Sequence, residues 1–219
     1  MSESNKPTTL AAEGGSGSTP QIIHSRFKAF RDVYVAIVQQ NDEKGYVAGT
    51  PTKLARAIKG TFNDKRSSEQ EFSDDNVEDT TETYEGTEIE IEVNSLAPQE
   101  LALIFGHKYE NGFLIKTKED KAPELAIGFR AKRKNGKYEF RWYYCGTFSQ
   151  GYEESFETDS SETKTQTSTA KGTFYARQKD GRYVIAVDES NLAVADTGAA
   201  EAIKDWFSKV QENTPASAE

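Results

Sequence analysis

"KRKNGKYEFRWYYCGTF", residues 132–148, carries the strongest structural signal in this chain. Asn135-Gly136 lies between two alternating runs and favours the tight turn of a β-hairpin. Successive side chains of a strand point to opposite faces, so after this turn one face is wholly aromatic. That face comprises Tyr138, Phe140, Trp142 and Tyr144, and the mixed face comprises Lys137, Glu139, Arg141, Tyr143 and Cys145. The pattern favours a half-buried antiparallel strand with its aromatic face in the core over a ligand platform.

Composition excludes several classes of protein. The 219-residue chain has a net charge of −9, which disfavours tight binding to nucleic-acid phosphates. The lone Cys145 excludes an internal disulfide and fits a reducing compartment. No segment approaches the roughly 20 apolar residues of a membrane helix, and no signal-peptide pattern is present. We therefore expect a soluble protein made in a cytoplasm, with no membrane partner.

The remaining periodicities predict further strands and two helices. Residues 30–38, 87–93 and 122–133 are β-branched or alternating runs that predict strands. Pro98 and Gly106 bracket a short helix, and Thr197 is placed to cap a helix near the C-terminus. The apolar stripe of that second helix comprises Ile203, Phe207 and Val210, with Trp206 beside it. The prediction is a mainly β (α+β) fold, an antiparallel β-sandwich or barrel with a short flanking helix and a C-terminal helix.

Both ends of the chain are polar and lack an apolar period. Residues 1–26 are predicted as a flexible N-terminal arm, in which residues 14–18, GGSGS, resemble a linker. Residues 27–211 are expected to form a single domain, and residues 212–219 a flexible C-terminal tail. Within the domain, residues 63–86 are polar and acidic and are predicted as a long loop between strands.

Charge is distributed unevenly along the chain. Between Ser67 and His107 there is no lysine or arginine. The acids of this window are Glu69, Glu71, Asp74, Asp75, Glu78, Asp79, Glu82, Glu85, Glu88, Glu90, Glu92 and Glu100. Residues 108–148 are basic in balance. The two regions are as consistent with mutual neutralisation, within a fold or between copies, as with solvated faces that never meet.

The chain offers little catalytic chemistry. His24 and His107 have no second ligand at metal-binding spacing, and Cys145 lies in an apolar strand. No phosphate-binding glycine loop or nucleophile elbow is present. Acidic residues are so abundant that no pair specifically indicates glycoside hydrolysis. We predict no catalytic residues, no cofactor and no enzymatic activity.

A partial calcium-loop pattern does not change this prediction. The matching positions are Asp74, Asn76, Glu78 and Glu85. Asp79 occupies the position that requires glycine, and no helices are predicted on either side. No metal site is predicted.

The order of the motifs resembles that of the major tail proteins, or tail tube proteins, of phages with long non-contractile tails. The resemblance runs from about Phe30 to Val210 and is carried by "VYVAIVQQND", "GTPTKLARAIKG", "EFSDDN", "TEIEIEV", "LALIFGHKYENGFLI", "APELAIGFRAKRKNGKYEFRWYYCGTFS", "ESFETDSSETKTQTSTAKGTF" and "IKDWFSKV". The central block is its most specific part. Phe72-Ser73 replaces the Tyr-Ala that often precedes the paired acids in the family.

The resemblance implies a structural virion protein with a sandwich-like barrel and a flanking helix. Members of that family form sixfold rings that stack into a hollow tail tube, the conduit for DNA ejection. The implied partners are further copies of the chain and other tail proteins, such as the tape measure, tail terminator and distal tail proteins. DNA would pass without specific binding. Assembly would take place in the cytoplasm of a bacterial host, and the product would be the virion tail.

Three hypotheses about sites follow. The loop that stacks one ring on the next would include Phe72, Asp74, Asp75, Asn76 and Tyr84, although a plain surface loop is the alternative. The acids lining the lumen would come from Glu88, Glu90 and Glu92 or from Glu153, Glu154 and Glu157, although such acids also keep outer surfaces soluble. An inter-subunit arm would use Ile22, Ile23 and Phe27.

A binding protein of another class is the alternative function. A carbohydrate-binding β-sandwich module would use Trp142 and Tyr143 as an aromatic platform. Such a module stays monomeric, whereas a tube protein forms long filaments.

Overall fold

The computed structural model of the chain describes residues 22–73, 76–154 and 167–213, and of residues 69–73 and 76–80 the backbone alone. Within these ranges the protein is mainly β, with one large antiparallel sheet and two short helices. The predicted fold class, a mainly β sandwich-like fold, is confirmed.

The elements follow one another in a simple order. The strands are β1 (Phe27–Asp42), β2 (Gly45–Ala48), β3 (Thr52–Lys53), β4 (Ala57–Ser73), β5 (Asn76–Val93), β6 (Lys108–Glu110), β7 (Phe113–Ile115), β8 (Leu125–Arg133), β9 (Tyr138–Thr147), β10 (Tyr152–Glu154), β11 (Ser168–Tyr175) and β12 (Val184–Asp188). Helix α1 (Pro98–Phe105) follows β5, and helix α2 (Thr197–Lys204) follows β12.

The large sheet curls back on itself. Its order is β2-β1-β8-β9-β11-β5-β4, with β3 added to β1, β10 to β11 and β12 to β9. Although β1 and β4 lie far apart in this order, the rings of Phe30 and Phe62 are only 6.0 Å apart. Both rings also pack on Phe129 of β8. The sheet therefore has an inner side, enclosed by the curl, and an outer side.

The inner side holds the main core. Val35, Ile91 and Ile127 are buried there, and Leu101 and Ile104 of α1 pack against them. Helix α1 begins at Pro98 and is capped after Phe105 by Gly106, whose φ of 71° lies in the left-handed region that glycine adopts without strain. The predicted short helix is confirmed at both ends.

The outer side holds a second core over part of the sheet. Ala36, Phe140 and Trp142 are buried there beneath Trp206, and Trp142 Nε1 donates a hydrogen bond to the Trp206 carbonyl at 3.0 Å. Strand β9 is therefore buried on both faces, since Tyr143 points to the inner core. The expectation of a half-buried strand was wrong because a distant segment covers the second face.

That covering segment departs from its prediction in detail. Helix α2 ends at Lys204, before Trp206 and Phe207, which follow in turns. Thr197 is the first residue of the helix, and Asp196 occupies the cap position without a side-chain cap. The apolar stripe nevertheless packs as predicted, with Ile203, Phe207 and Val210 against the outer core.

The predicted loop over residues 63–86 is a β-hairpin. Strand β4 pairs with β5 from Ala57↔Val93 to Ser73↔Asn76. The sequence does not reveal this hairpin, because residues 81–83 are all exposed and neither face of the hairpin meets a core there. Without a buried face, no apolar alternation marks the strands.

Candidate functional site

The hairpin of β4 and β5 extends beyond the sheet. Strand β11 pairs with β5 only between Ser168↔Val93 and Phe174↔Thr87. From the pair Lys65↔Gly86 to the pair Ser73↔Asn76, β4 and β5 pair only with each other in the part of the chain that the structure describes. At about 3.3 Å per residue, the paired segment from Lys65 to Ser73 extends about 30 Å. We call this segment, residues 65–86, the projecting hairpin.

A tyrosine pair anchors the root of the projecting hairpin. The ring of Tyr84 stacks on Tyr183 with centroids 4.0 Å apart. Its hydroxyl lies 2.7 Å from Thr87 Oγ1, which donates a hydrogen bond to Asp64. Burial raises the pKa of Tyr84 to about 12. Tyr84 was a candidate for contact with the next sixfold ring of copies. In the structure it contacts its own chain instead.

Two other predicted stacking residues, Phe72 and Asn76, lie at the far end. Phe72 pairs with Val77, and Asn76 pairs with Ser73 as the last pair of the hairpin. Asp74 and Asp75 fall outside the described residues. The structure thus places Phe72 and Asn76 at the distal end, remote from Tyr84.

The acidic strand has the alternation that its sequence predicts. Ile89, Ile91 and Val93 are buried on the inner side. The intervening Glu88, Glu90 and Glu92 lie on the outer side, where Glu90 is exposed and the other two are partly exposed. The outer side of β5 is therefore a row of three carboxylates.

A second predicted acid joins this row. Glu153 of β10 pairs with Thr169 of β11, which in turn pairs with Glu92. Directly paired residues share a face, so Glu153 lies on the same outer side as Glu92. Glu154 has the opposite parity, and its hydrogen bond from the Tyr152 hydroxyl is 2.9 Å long. Glu157 lies outside the described residues.

Lysines partly neutralise the row. Lys65 forms an ion pair with Glu88, and Lys171 lies 3.9 Å from Glu90. Lys59 pairs across the strands with Glu92. Exposed ion pairs such as these contribute little to stability, but they reduce the excess negative charge of this face.

The predicted inter-subunit arm lies along its own chain. The Ile23 amide donates to Asn191 Oδ1 at 2.7 Å, and Arg133 Nη1 donates to the Ser25 carbonyl at 2.6 Å. The side chains of Ile22, Ile23 and Phe27 are nevertheless at least half exposed. The backbone of this segment is therefore docked, while the side chains of Ile22 and Ile23 face solvent and the Arg133 guanidinium lies 4.4 Å from the centroid of the Phe27 ring.

Trp142 and Tyr143, the alternative sugar platform, are buried, with 0% and 3% of their surface exposed. Neither ring can stack on a sugar in this arrangement. Among the described residues there is no group of three or more metal-ligating side chains and no helix of the length and apolarity that a membrane crossing requires.

Sequence reasoning missed a pocket around Asp32, beside β1 and β3. A usable signal was present, because Arg31-Asp32 interrupts an otherwise apolar strand. Asp32 has a φ of 52°, unusual for a residue other than glycine, and a register shift lies between Arg31 and Tyr34.

The chain matches no protein-family model and shows no significant similarity to a curated protein.

Proposed function

We propose that this chain is the tail tube protein of a phage with a long non-contractile tail. In this proposal, copies form sixfold rings that stack into a hollow tube, and the tube is the conduit for DNA ejection. The tube is assembled in the host cytoplasm with the tape measure, tail terminator and distal tail proteins, and becomes part of the virion. The observation that carries the proposal is the projecting hairpin.

A projecting hairpin supports polymerisation for a physical reason. An isolated two-stranded hairpin is marginally stable in water, since it buries little surface. Its unpaired edges and exposed faces gain free energy when a neighbour covers them. A contact between this arm and a different surface of the next copy is head-to-tail, and head-to-tail contacts build rings or filaments.

The outer carboxylate row supports a role as a conduit. In a tube that places this face inward, Glu88, Glu90, Glu92 and Glu153 repel the phosphates of passing DNA. The lysines on the same face moderate that repulsion. A nearly balanced, weakly acidic wall lets DNA slide without gripping it.

Electron microscopy of the purified protein tests the proposal. We expect hollow filaments from the intact chain at high concentration. The matched variant replaces residues 68–82 with Asn-Gly, which closes a two-residue turn between the directly paired Ser67 and Thr83. This variant should remain folded, with a far-ultraviolet circular dichroism spectrum that is still typical of β structure, and should form no filaments.

Two outcomes would contradict the proposal. An intact chain that stays monomeric at every concentration would reject polymerisation as its function. Filaments of normal length from the shortened variant would show that the projecting hairpin is not the element that joins the copies.

A further inference from the structure

A cationic pocket lies at the start of β4, between β1 and β3. Its volume is about 550 Å³, within the usual range of binding pockets. The apolar part of its lining includes Phe30, Val33 and Leu54. The charged part consists of Arg31, Lys53, Arg56 and Arg130, with Asp32 as the one carboxylate among these lining residues.

The single carboxylate is already committed within the pocket. Asp32 accepts hydrogen bonds from Lys53 Nζ and Arg130 Nε, each at 2.6 Å. Burial alone would raise the pKa of Asp32, but the hydrogen bonds and the positive charges of Lys53 and Arg130 together outweigh it, and the pKa lies below its usual value. In the side chains that the structure describes, Arg31 and Arg56 form no ion pair. The pocket therefore has cationic groups in excess.

Two of these cations oppose each other directly. Arg31 of β1 and Arg130 of β8 are cross-strand partners, and like charges in such positions are destabilising. The adjacent Asp32 adds backbone strain through its left-handed φ of 52°. Strain and repulsion concentrated at one point are typical of a functional site, and an incoming carboxylate would relieve the repulsion.

The same chain carries a segment of complementary charge. Residues 67–85 of the projecting hairpin contain no lysine or arginine. Their acids are Glu69, Glu71, Asp74, Asp75, Glu78, Asp79, Glu82 and Glu85. The acidic arm of one copy is therefore complementary in charge to the cationic pocket of another copy.

Geometry excludes pairing within a single copy. The pocket includes Arg56 and Ala57 at the beginning of β4, whereas the last pair of the hairpin, Ser73↔Asn76, lies at the other end of this 17-residue strand. At about 3.3 Å per residue the two lie about 55 Å apart along the strand. Because β4 is paired with β5 throughout its length, the hairpin cannot fold back into its own pocket.

We propose that the pocket around Asp32 receives the acidic end of the projecting hairpin of a second copy. This inference rests on the proposed polymerisation and identifies the surface that accepts the arm. Donor and acceptor lie at opposite ends of β4, so each copy can accept one arm and offer its own. Such a heterologous contact repeats along a filament.

Charge reversal tests the contact. The acceptor variant carries Arg31→Glu and Arg56→Glu, and the donor variant carries Asp74→Arg and Asp75→Arg. We expect each alone to raise the critical concentration for filament formation, measured by sedimentation, by at least about tenfold. A chain carrying all four substitutions should recover assembly, because the charges are again complementary. The control, Lys44→Glu with Lys118→Glu, makes the same charge change as the acceptor variant at exposed positions outside the pocket and should assemble normally.

Each outcome has one meaning, provided that circular dichroism shows every variant folded. Normal assembly of the acceptor variant, while the intact chain forms filaments, overturns this inference and leaves the proposed function standing. Loss of assembly in the acceptor variant without recovery in the fourfold variant also overturns the pairing. An intact chain that never self-associates overturns both.

Discussion

Two halves of the same sheet surface have opposite chemistry. On the outer side, β1, β8, β9 and β12 form a covered half, where the segment around Trp206 and Phe207 lies over Trp142. Strands β10, β11, β5 and β4 form a bare half, with Glu90 and Lys171 facing solvent. The inner side of both halves belongs to one continuous core.

The difference shows how one sheet serves two purposes. The covered half carries small residues, Ala36, Ala126 and Gly128, beside large rings, so that a later segment can pack closely. The bare half carries long charged side chains that hold water at the surface. The covered half therefore stabilises the fold, whereas the bare half is free to meet solvent or a partner.

Removing the cover should have the largest effect on stability. Trp206 is 1% exposed, and truncating a buried Trp to alanine costs about 3–5 kcal/mol. We expect Trp206→Ala to reduce the free energy of unfolding by this amount in urea denaturation. Lys209→Ala, at an exposed position three residues later, serves as the control. A loss below about 1 kcal/mol for Trp206→Ala would mean that the cover is not integral to the fold.

The ion pairs of Arg177, which hold the end of the covering segment, should have the second-largest effect on stability. We call these ion pairs the tether. Arg177, with 1% of its side chain exposed, binds Asp180 and Glu212, and its guanidinium lies 4.2 Å from the Tyr144 ring centroid. Breaking a buried ion pair costs about 3 kcal/mol or more, so Arg177→Met should destabilise by roughly that much.

The same tether predicts a pH dependence. The hydrogen bond from Arg177 lowers the pKa of Asp180 to about 2 from its usual 3.8. A depressed carboxyl pKa stabilises the folded state above the unfolded pKa, and this contribution is lost as the pH falls from about 4 to 2. The stability difference between wild type and Arg177→Met should shrink over that range. A constant difference would contradict the assignment.

A glycine pair tests the close packing of the covered half. A Cβ added at Gly128 would lie 2.6 Å from the Trp142 ring, whereas one added at Gly198 meets nothing within 4 Å. Overpacking costs about 1–3 kcal/mol, which we expect for Gly128→Ala in thermal denaturation. Gly198→Ala in helix α2 should be neutral or slightly stabilising. Equal effects at the two sites would contradict the account of a closely packed cover.

The bare half should show the smallest effect on stability. We expect Glu92→Lys with Glu153→Lys to change the free energy of unfolding by about 0.5 kcal/mol or less, since these sites are on the surface. If the chain forms a phage tail tube, as proposed, DNA ejection from a phage carrying these substitutions should slow, and more so at low salt, where phosphate attraction is least screened. Glu119→Lys, at an exposed position in a loop, is the control. Unchanged ejection rates would reject an electrostatic role for this face in the lumen.

The parts of the fold that the sequence predicts are those with a local apolar pattern. Ile89, Ile91 and Val93 alternate with glutamates, and their burial follows directly. Pro98 and Gly106 likewise mark helix α1 because their backbone preferences are local.

The parts of the fold that the sequence does not predict are of two kinds. Some depend on contacts between residues distant in the sequence, and others pack against no core. The second cover of β9 comes from Trp206, 64 residues after Trp142, and no pattern within β9 reveals it. The sequence predicts a loop where the projecting hairpin lies, because the hairpin has no buried face at residues 81–83. Which candidate acids share a face of the sheet depends on the strand register. The register places Glu153 on the same face as Glu92 and Glu154 on the opposite face.

The extended backbone of the projecting hairpin has a mechanical consequence. A β-strand rises about 3.3 Å per residue, close to the maximum reach of a polypeptide, so the paired strands of the arm cannot lengthen appreciably. Because it is only two strands wide, the arm bends gently across its plane but does not fold back on itself. In a fibre linked through such arms, the spacing between successive units stays constant while the fibre flexes.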